Sequence, residues 1–297
     1  MSLYAYQVFE TVIEQGSFAK AADNLGLTPS AISHIIANLE DEYGVKLLYR
    51  SRSGVRLTSA GETLLPYIRQ VRQGDVRLHQ ELDRMRGLDS GIVRLGAFSS
   101  VTNNWVPEML GQFRAEYPGI SIQLYQGGYD DMIAWMDTLG LDVAFMSETV
   151  LSEFTISEDI RFIPLYEDPL VCVTPRDYLL QYKDSVRLTD IKSENFIMAL
   201  TGYDQDARHL LKRHKLNVPA NYHIADDHSI LALVEAGLGI TIMSEMIVKN
   251  SGRNVRIIPL NPAEHRTIGL IVREGSMHMP AVERLIETIR AYVEDKA

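Results

Sequence analysis

One segment, residues 17–58, constrains the fold more than any other part of the chain. It reads SFAKAADNLGLTPSAISHIIANLEDEYGVKLLYRSRSGVRLT. Ser17 is a good cap for a short alanine-rich helix, and Gly26 permits a sharp turn after it. Thr28 and Pro29 then supply a cap and a first-turn proline, which are strong signals for the start of a second helix. The pattern predicts two helices joined by a tight turn.

The second of these helices has two different faces. Its apolar face is formed by Ile32, Ile36, Leu39 and Tyr43. The opposite face carries short or hydrogen-bonding side chains, namely Ser30, Ser33, His34, Ala37 and Asn38. Such a face can enter the major groove of DNA, which is about 12 Å wide, and contact base edges. Taken alone, the pattern is equally typical of an amphipathic helix with a solvated polar face.

A basic hairpin follows the second helix. LLYR and VRL, separated by SRSG, predict two short strands around a turn that contains glycine. The cations between Val45 and Leu57, where no acid occurs, are Lys46, Arg50, Arg52 and Arg56. On a chain of net charge −10, such a strip favours local, salt-sensitive docking to DNA phosphates or the minor groove. Solvated surface arginines are the alternative for each residue taken separately.

A long helix is expected from residue 59 to about residue 86. Ser59-x-x-Glu62 has capping-box spacing, although Thr58 is an alternative cap. Apolar residues recur along one seam, namely Leu64, Ile68, Val71, Leu78, Leu82 and Met85, with an interruption at Asp75. This seam fits a helix packed on its own domain. It also fits a dimerising helix, which we favour because DNA palindromes are matched by two-fold symmetric proteins.

Strand and helix patterns alternate from Gly91 onward. The strand-like runs are GIVRLGAF, ISIQLYQGG, LDVAFM, PLVCVTP, ENFIMAL and YHIADD, and helical patterns lie between them. This repetition predicts βαβ units, and therefore a parallel sheet with helices on its faces. A C-terminal helix over residues 281–294 is expected to return to the first subdomain.

Residues 1–87 closely resemble the N-terminal part of LysR-type transcriptional regulators. The resemblance is carried by the Ala-Ala pair, the TPSAIS helix start, the L-E near the helix end, and G-V-x-L-L-x-R…LT-x-A-G. It implies a winged helix-turn-helix in which the base-reading residues are Thr28, Pro29, Ser30, Ser33 and His34. It implies that Arg50, Arg52 and Arg56 contact the DNA backbone from the wing. Pro29 and His34 depart from the residues common in the family, so operator preference does not transfer, and His34 contacts are expected to depend on pH.

The remainder of the chain resembles the family's effector domain, an α/β domain of two lobes that is similar in fold to periplasmic solute-binding proteins. The lobes are expected to join through crossover strands near residues 163–168 and 260–268. The expected domains are a DNA-binding domain at 1–58, a linker helix and hinge at 59–89, and an effector-binding domain at 90–297. Lobe I is expected at 91–163 plus 268–297, and lobe II at 167–261.

Ligands of such sheets bind at the carboxyl ends of strands, against helix N-termini. Effector-binding candidates at such positions are Ser99, Ser100, Thr102, Asn103, Met146, Ser147, Glu148, Thr201, His228 and Ser229. Helix capping is the alternative role for many of them. Hydroxyls and free amides suit an anionic ligand. Several acids lie near the same rim, and no arginine evidently faces it, so the sign of the ligand's charge stays open.

Other classes of function have little support. The sequence has no GxxxxGK[ST], GxSxG or HExxH motif, so an enzyme is not expected. Cys172, in an apolar run, is expected to be a buried inert thiol, and the scattered histidines offer no metal site. No cofactor is expected. Without an export signal or a long apolar run, a cytoplasmic location is expected.

Two functional classes remain open. The first is a ligand-responsive regulator whose partners are double-stranded DNA, a small-molecule effector and further copies of itself. By resemblance these copies form a tetramer of two dimers, and contact with RNA polymerase is a further option. The second is a solute-binding module whose N-terminal helices serve protein association.

Overall fold

The computed structural model describes residues 3–51, 54–85, 90–138, 140–178, 184–203 and 205–296. The chain divides into two compact units, Met1–Leu88 with Asp137–Gly140, and the remaining residues. Within the described residues, no helix is both long enough and apolar enough to cross a bilayer.

The N-terminal unit is a winged helix-turn-helix followed by a long helix. Its elements are α1 (Leu3–Gln15), α2 (Phe18–Leu25), α3 (Pro29–Tyr43), β1 (Leu48–Ser51), β2 (Gly54–Leu57) and α4 (Ser59–Met85). The predicted caps are present. The Ser17 hydroxyl accepts a hydrogen bond from the Lys20 N–H, and Gly26 ends α2 in the left-handed conformation at φ 65°. Such a turn lets α3 fold back onto α2, because glycine adopts positive φ without a steric penalty.

A dry core holds these helices together. Phe9 and Val12 of α1, Ala22 of α2, and Ile32 and Ile36 of α3 are all buried in one cluster. The alanines of α2 allow close approach of the neighbouring helices, as the sequence predicts. The hairpin of β1 and β2 joins this core, because the Val55 N–H donates to the Gly16 carbonyl at 3.0 Å.

The start of α4 is part of the same unit. Thr58 caps this helix, since its hydroxyl accepts from the Gly61 N–H at 2.9 Å. Of the two predicted alternatives, Thr58 is therefore the cap. Glu10 of α1 is buried and forms ion pairs with Arg69 and Arg72 of α4. These pairs fix the first half of α4 against α1.

The C-terminal unit is a two-lobed α/β structure. Its strands are β3 (Gly91–Ala97), β4 (Ile120–Gln126), β5 (Val143–Ser147), β6 (Ile160–Pro175), β7 (Phe196–Ala199), β8 (Ala220–Ile224), β9 (Thr241–Ser244) and β10 (Val255–Arg273). Its helices are α5 (Ser99–Asn104), α6 (Val106–Glu116), α7 (Tyr129–Thr138), α8 (Glu148–Leu151), α9 (Leu188–Ile191), α10 (Asp206–Arg213), α11 (Asp227–Glu235), α12 (Glu245–Lys249), α13 (Glu274–Met277) and α14 (Pro280–Lys296).

The sheet of this unit is mixed and not purely parallel as the βαβ pattern predicts. The strand order is β4-β3-β5-β10-β6-β9. Within it, the neighbours β3–β4 and β3–β5 are parallel, whereas β10 runs antiparallel to β5 and β6, and β9 runs antiparallel to β6. β7 and β8 form a separate two-stranded parallel sheet. The two long strands, β6 and β10, account for the difference, because they pass from one lobe to the other in opposite directions. They are the predicted crossovers, and α14 returns to the core of lobe I as expected.

Candidate functional site

The start of α3 forms an exposed polar surface. The Thr28 hydroxyl caps the helix by accepting from the Ala31 N–H at 3.2 Å. Thr28, Pro29, Ser30 and His34 are exposed and Ser33 is half-buried. All five predicted base-reading residues therefore lie on the first turns of α3, while its opposite face is buried in the core. A helix held in this way can present short polar side chains to a groove of DNA.

His34 has a specific neighbour on this surface. The Asn38 side-chain amide donates to His34 Nδ1 at 3.1 Å. In the neutral ring this bond places the remaining proton on Nε2, which becomes a donor directed away from Asn38. Asn38 is exposed as well, so it extends the candidate surface by one turn.

Buried Glu40 connects α3 to the wing. Its carboxylate accepts from the backbone N–H groups of Leu47 and Leu48, at 2.9 and 3.2 Å, and from Lys46 Nζ at 2.7 Å. Burial raises the pKa of Glu40, but these bonds outweigh it and hold the pKa below its usual value. Lys46 is thus paired with Glu40, an acid that lies outside the basic segment identified in the sequence.

The structure describes two of the three predicted wing arginines. Arg56 is exposed on β2, where its Cα pairs with that of Tyr49. Arg50 lies on β1, paired through its Cα with Val55. Arg52 lies outside the described residues, so its predicted backbone contact stays a prediction.

Arg266 of β10 occupies the middle of the interlobe region. It is fully buried, and its guanidinium reaches both lobes. On the lobe II side, Nη2 lies 2.9 Å from Asp168 Oδ2 and Nη1 lies 3.1 Å from Asp206 Oδ2. On the lobe I side it donates to the Ser100 hydroxyl at 2.8 Å and to the Tyr129 hydroxyl at 3.1 Å. The sequence did not indicate this buried arginine between the lobes, although Arg266 is not among the described residues that line the neighbouring cleft.

The two carboxylates of this cluster have further partners. Asp206 accepts from the Ser147 hydroxyl at 2.6 Å and from the Tyr129 hydroxyl at 2.7 Å. Asp168 accepts from the Ser244 hydroxyl and from the Met246 N–H. The cluster is thus a satisfied polar network, as buried charges require. We call Arg266, Asp168 and Asp206 the interlobe ion cluster.

An open cleft lies beside this cluster. Its volume is about 450 Å³, within the usual range for small-molecule sites. Its wall includes Phe98, Ser99, Tyr129, Trp135, Tyr203, Asp131, Asp226 and the run Gln126–Gly128. The lobes meet closely here, because a Cβ added to Gly128 would collide with the Gly202 carbonyl oxygen.

Only one predicted effector residue, Ser99, lies on this cleft. Its hydroxyl donates to Asp227 of α11. Ser100 and Ser147 are buried and bonded to the interlobe ion cluster. Met146 lies in the core of lobe I.

The other predicted effector residues do not line the cleft. The Thr102 hydroxyl donates to the Phe98 carbonyl at 3.1 Å, at the start of its own helix. The Ser229 hydroxyl donates to Asp226 at 2.7 Å. Four further predicted effector residues are exposed but do not line the cleft, namely Asn103, Glu148, Thr201 and His228.

Sequence reasoning missed several residues of the site. Gln126–Gly128 lies at the carboxyl end of β4. The same rule that selected Ser99, ligand binding at strand ends, therefore selects this run if it is applied consistently. Arg266 and Asp168 sit on the crossover strands, which the sequence located without assigning them a role. Trp135 and Tyr203 carry no local signal, since aromatic residues in helices and turns are usually packing residues.

Two further groups of the C-terminal unit have shifted pKa values. Burial raises the pKa of Asp227, and the bond from Ser99 and the charge of Arg266 only partly offset it. Burial also raises the pKa of Cys172 to about 12. The Cys172 side chain is fully buried in β6, as predicted, so it forms little thiolate at neutral pH.

Comparison with known proteins agrees with both halves of this description. Residues 3–62 match the family model "Bacterial regulatory helix-turn-helix protein, lysR family", and residues 86–294 match "LysR substrate binding domain". The HTH-type transcriptional regulator YvbU of Bacillus subtilis (strain 168) is 26% identical over 92% of each chain.

Solved structures show the same fold. A full-length variant of OxyR from Pseudomonas aeruginosa superposes with a TM-score of 0.81 at 19% identity, covering 99% of this chain and 95% of that one. Full-length CbnR complexed with its target DNA gives 0.61 at 19% identity, covering 98% and 100%. The matched families and relatives are those of transcriptional regulators and not of enzymes. The chain belongs to the LysR family, and it is a DNA-binding, effector-responsive transcriptional regulator.

Proposed function

We propose that this regulator reads operator bases with Thr28, Pro29, Ser30, Ser33 and His34, and holds the DNA backbone with Arg50, Arg52 and Arg56. The observation that carries this proposal is the capped, exposed start of α3 on a buried core. Short side chains at a helix start reach base edges, and arginines on a hairpin reach phosphates. Acting on DNA, the protein works in the cytoplasm.

Self-association through α4 is the second part of the proposal. Leu65 and Ile68 are buried against the N-terminal core, whereas Val71, Leu78 and Leu82 are exposed on the same helix. An apolar stripe on a helix is normally covered by a partner. A second copy is the partner we propose, giving a dimer that presents two copies of α3. Pairing of such dimers into a tetramer and contact with RNA polymerase extend the proposal.

The cleft beside the interlobe ion cluster is the proposed effector site. It has ligand-sized volume, and groups from both lobes line it. A ligand bound there contacts both lobes, so its affinity depends on how the lobes are arranged. Such differential affinity is the only way in which a ligand shifts a conformational equilibrium, typically by about 1–3 kcal/mol.

Gel-shift titrations with two single variants test the DNA proposal. We expect Ser30→Ala to cost about 1 kcal/mol on the operator and to relax base preference at one position. Arg56→Ala should weaken specific and non-specific DNA alike and reduce the salt dependence by about one phosphate contact. Ser121→Ala, an exposed change on β4, is the control and should alter neither.

Two outcomes would contradict the proposal. The first is operator affinity that is unchanged in both variants across a salt series. The second contradicts only the proposed effector site, and it is an operator footprint that is the same with and without saturating effector.

A further inference from the structure

The cleft lining is acidic where a ligand's charged group would enter it. Asp131 and Asp226 lie on the wall, and Asp227 lies directly behind Ser99. Among the described residues that line the cleft, none is a lysine, arginine or histidine. The buried Arg266 behind Tyr129 does not reverse this balance, because it faces two carboxylates, Asp168 and Asp206.

At two of the helix starts that border the cleft, the N–H groups that would hold an anion are already taken by carboxylates of the chain itself, whereas the start of α5 at Phe98 has no side-chain cap. An anionic ligand in such folds is normally held by free N–H groups at helix starts. At the start of α7 the Gly128 N–H donates to Asp131 at 2.9 Å. At the start of α11 the Ser229 N–H donates to Asp226 at 2.8 Å. An incoming carboxylate or phosphate would have to displace these caps and approach their charge.

The same carboxylates leave oxygen atoms available to a cation. Asp226 is exposed, and the Ser229 hydroxyl bond lowers its pKa in spite of partial burial, so it stays ionised at neutral pH. A carboxylate that caps a helix with one oxygen retains further lone pairs for a donor. Charge-assisted hydrogen bonds of this kind are about twice as strong as neutral ones.

Four aromatic residues also line the cleft, namely Phe98, Tyr129, Trp135 and Tyr203. Tyr203 is 40% exposed, whereas Phe98 and Tyr129 are buried. Aromatic faces attract cations through the ring quadrupole and also pack against flat apolar bodies. A cavity of about 450 Å³ accommodates a body of one or two rings with a short charged arm.

We infer that the effector bound in this cleft is an organic cation, namely an amine or amidinium group on an aromatic or other apolar body. The charged group lies between Asp131 and Asp226, and the body lies against Trp135 and Tyr203. This inference rests on the proposed function of the cleft as the effector site. It resolves the ligand charge that the sequence leaves open.

Charge-matched probes test the inference on the full-length protein. One set is 2-phenylethylamine, 3-phenylpropionate and 2-phenylethanol, and a second is tryptamine, indole-3-propionate and tryptophol. Within a set the body is nearly constant and the charge is +1, −1 or 0. We expect the amine of at least one set to bind with a Kd at least about tenfold below that of its anion and alcohol, a difference of about 1.4 kcal/mol. Calorimetry gives the Kd values.

Three variants place the probe in the cleft. Asp226→Asn keeps the helix cap, since asparagine is also a good cap, but removes the charge, and should raise the amine's Kd about tenfold. Tyr203→Ala should weaken the amine as well. Asp190→Asn removes an exposed negative charge of α9 away from the cleft and should leave the Kd unchanged.

The outcomes separate the inference from the function on which it rests. Tighter binding of an anion, or failure of both amines to bind, overturns the cation assignment. An anion whose binding is lost in Tyr203→Ala keeps the cleft as the ligand site and removes only its charge preference. A bound amine that leaves the operator footprint unchanged supports the ligand class and contradicts the regulatory role of the cleft.

Discussion

Arg266 shows how much one side chain decides in this fold. A guanidinium without solvent exposure needs a partner for each of its N–H groups, since an unsatisfied buried charge is costly. Here Asp168 and Asp206 supply the charge, Ser100 and Tyr129 supply neutral acceptors, and the Phe98 ring centroid lies 5.3 Å from Cζ. Because these partners come from both lobes, the cluster links lobe arrangement to the electrostatics of the interior.

Arg266→Ala should strongly destabilise the C-terminal unit, by about 3–5 kcal/mol, because it leaves two carboxylates buried without their cation. Urea unfolding followed by tryptophan fluorescence measures this, since Trp105 and Trp135 both lie in that unit. Arg213→Ala is the control. It breaks a more exposed pair with Glu264 and should cost less than about 1 kcal/mol. Equal losses in the two variants would show that the interlobe ion cluster has no special energetic role.

At the scale of elements, Glu40 couples α3 to the wing. Its folded pKa is lowered, so the folded state binds a proton less readily than the unfolded chain does. The stability that Glu40 contributes is therefore present above its unfolded pKa, about 4.3, and is lost as the pH falls through the lower folded value. The ordered position of the wing beside α3 should weaken in that acidic range.

Glu40→Gln should reduce the protection of the Leu47 and Leu48 amides against hydrogen exchange by about 1–3 kcal/mol at neutral pH. The amide oxygen still accepts a bond, but the charged contacts are gone. The difference from the parent protein should shrink as the pH falls below the folded pKa of Glu40. Glu42→Gln, an exposed change on the same helix, should leave both amides protected. A loss of protection that is independent of pH would contradict this account.

Structural features that depend on neighbouring residues can be predicted from the sequence. The caps at Ser17 and Thr28 and the left-handed Gly26 each depend on residues within one helical turn, and the structure has them as predicted. The interlobe ion cluster cannot be predicted in this way, because its residues are far apart in the sequence. Asp206 and Asp168 precede Arg266 by 60 and 98 residues. Asp168 is opposite Arg266 in the register of β6 and β10, and Asp206 comes from α10, so tertiary structure sets both pairings. The mixed sheet escapes prediction for the same reason, because strand direction at a crossover has no local sequence signal.

For the whole molecule, α4 is the element on which the proposed self-association depends. The first half of this helix belongs to the N-terminal core, through Ile68 and the ion pairs of Glu10 with Arg69 and Arg72. Farther along, Leu78 is 58% exposed and Val71 is 51% exposed. The dimer that we propose would cover these side chains and complete the apolar seam predicted from the sequence.

Leu78→Glu should convert the proposed dimer into monomers without unfolding either unit, because the residue packs on neither core. Two-fold symmetry applies the change twice. Losing two buried leucine contacts, each worth about 1.5–3 kcal/mol, should weaken self-association more than about 100-fold. Sedimentation equilibrium measures this effect. Gel shifts should show a parallel loss of operator affinity, since a monomer contacts the operator with only one helix-turn-helix. Arg114→Gln changes the net charge by the same one unit on the exposed surface of α6 and should alter neither property. A Leu78→Glu protein that stays dimeric would place the self-association surface elsewhere on the chain.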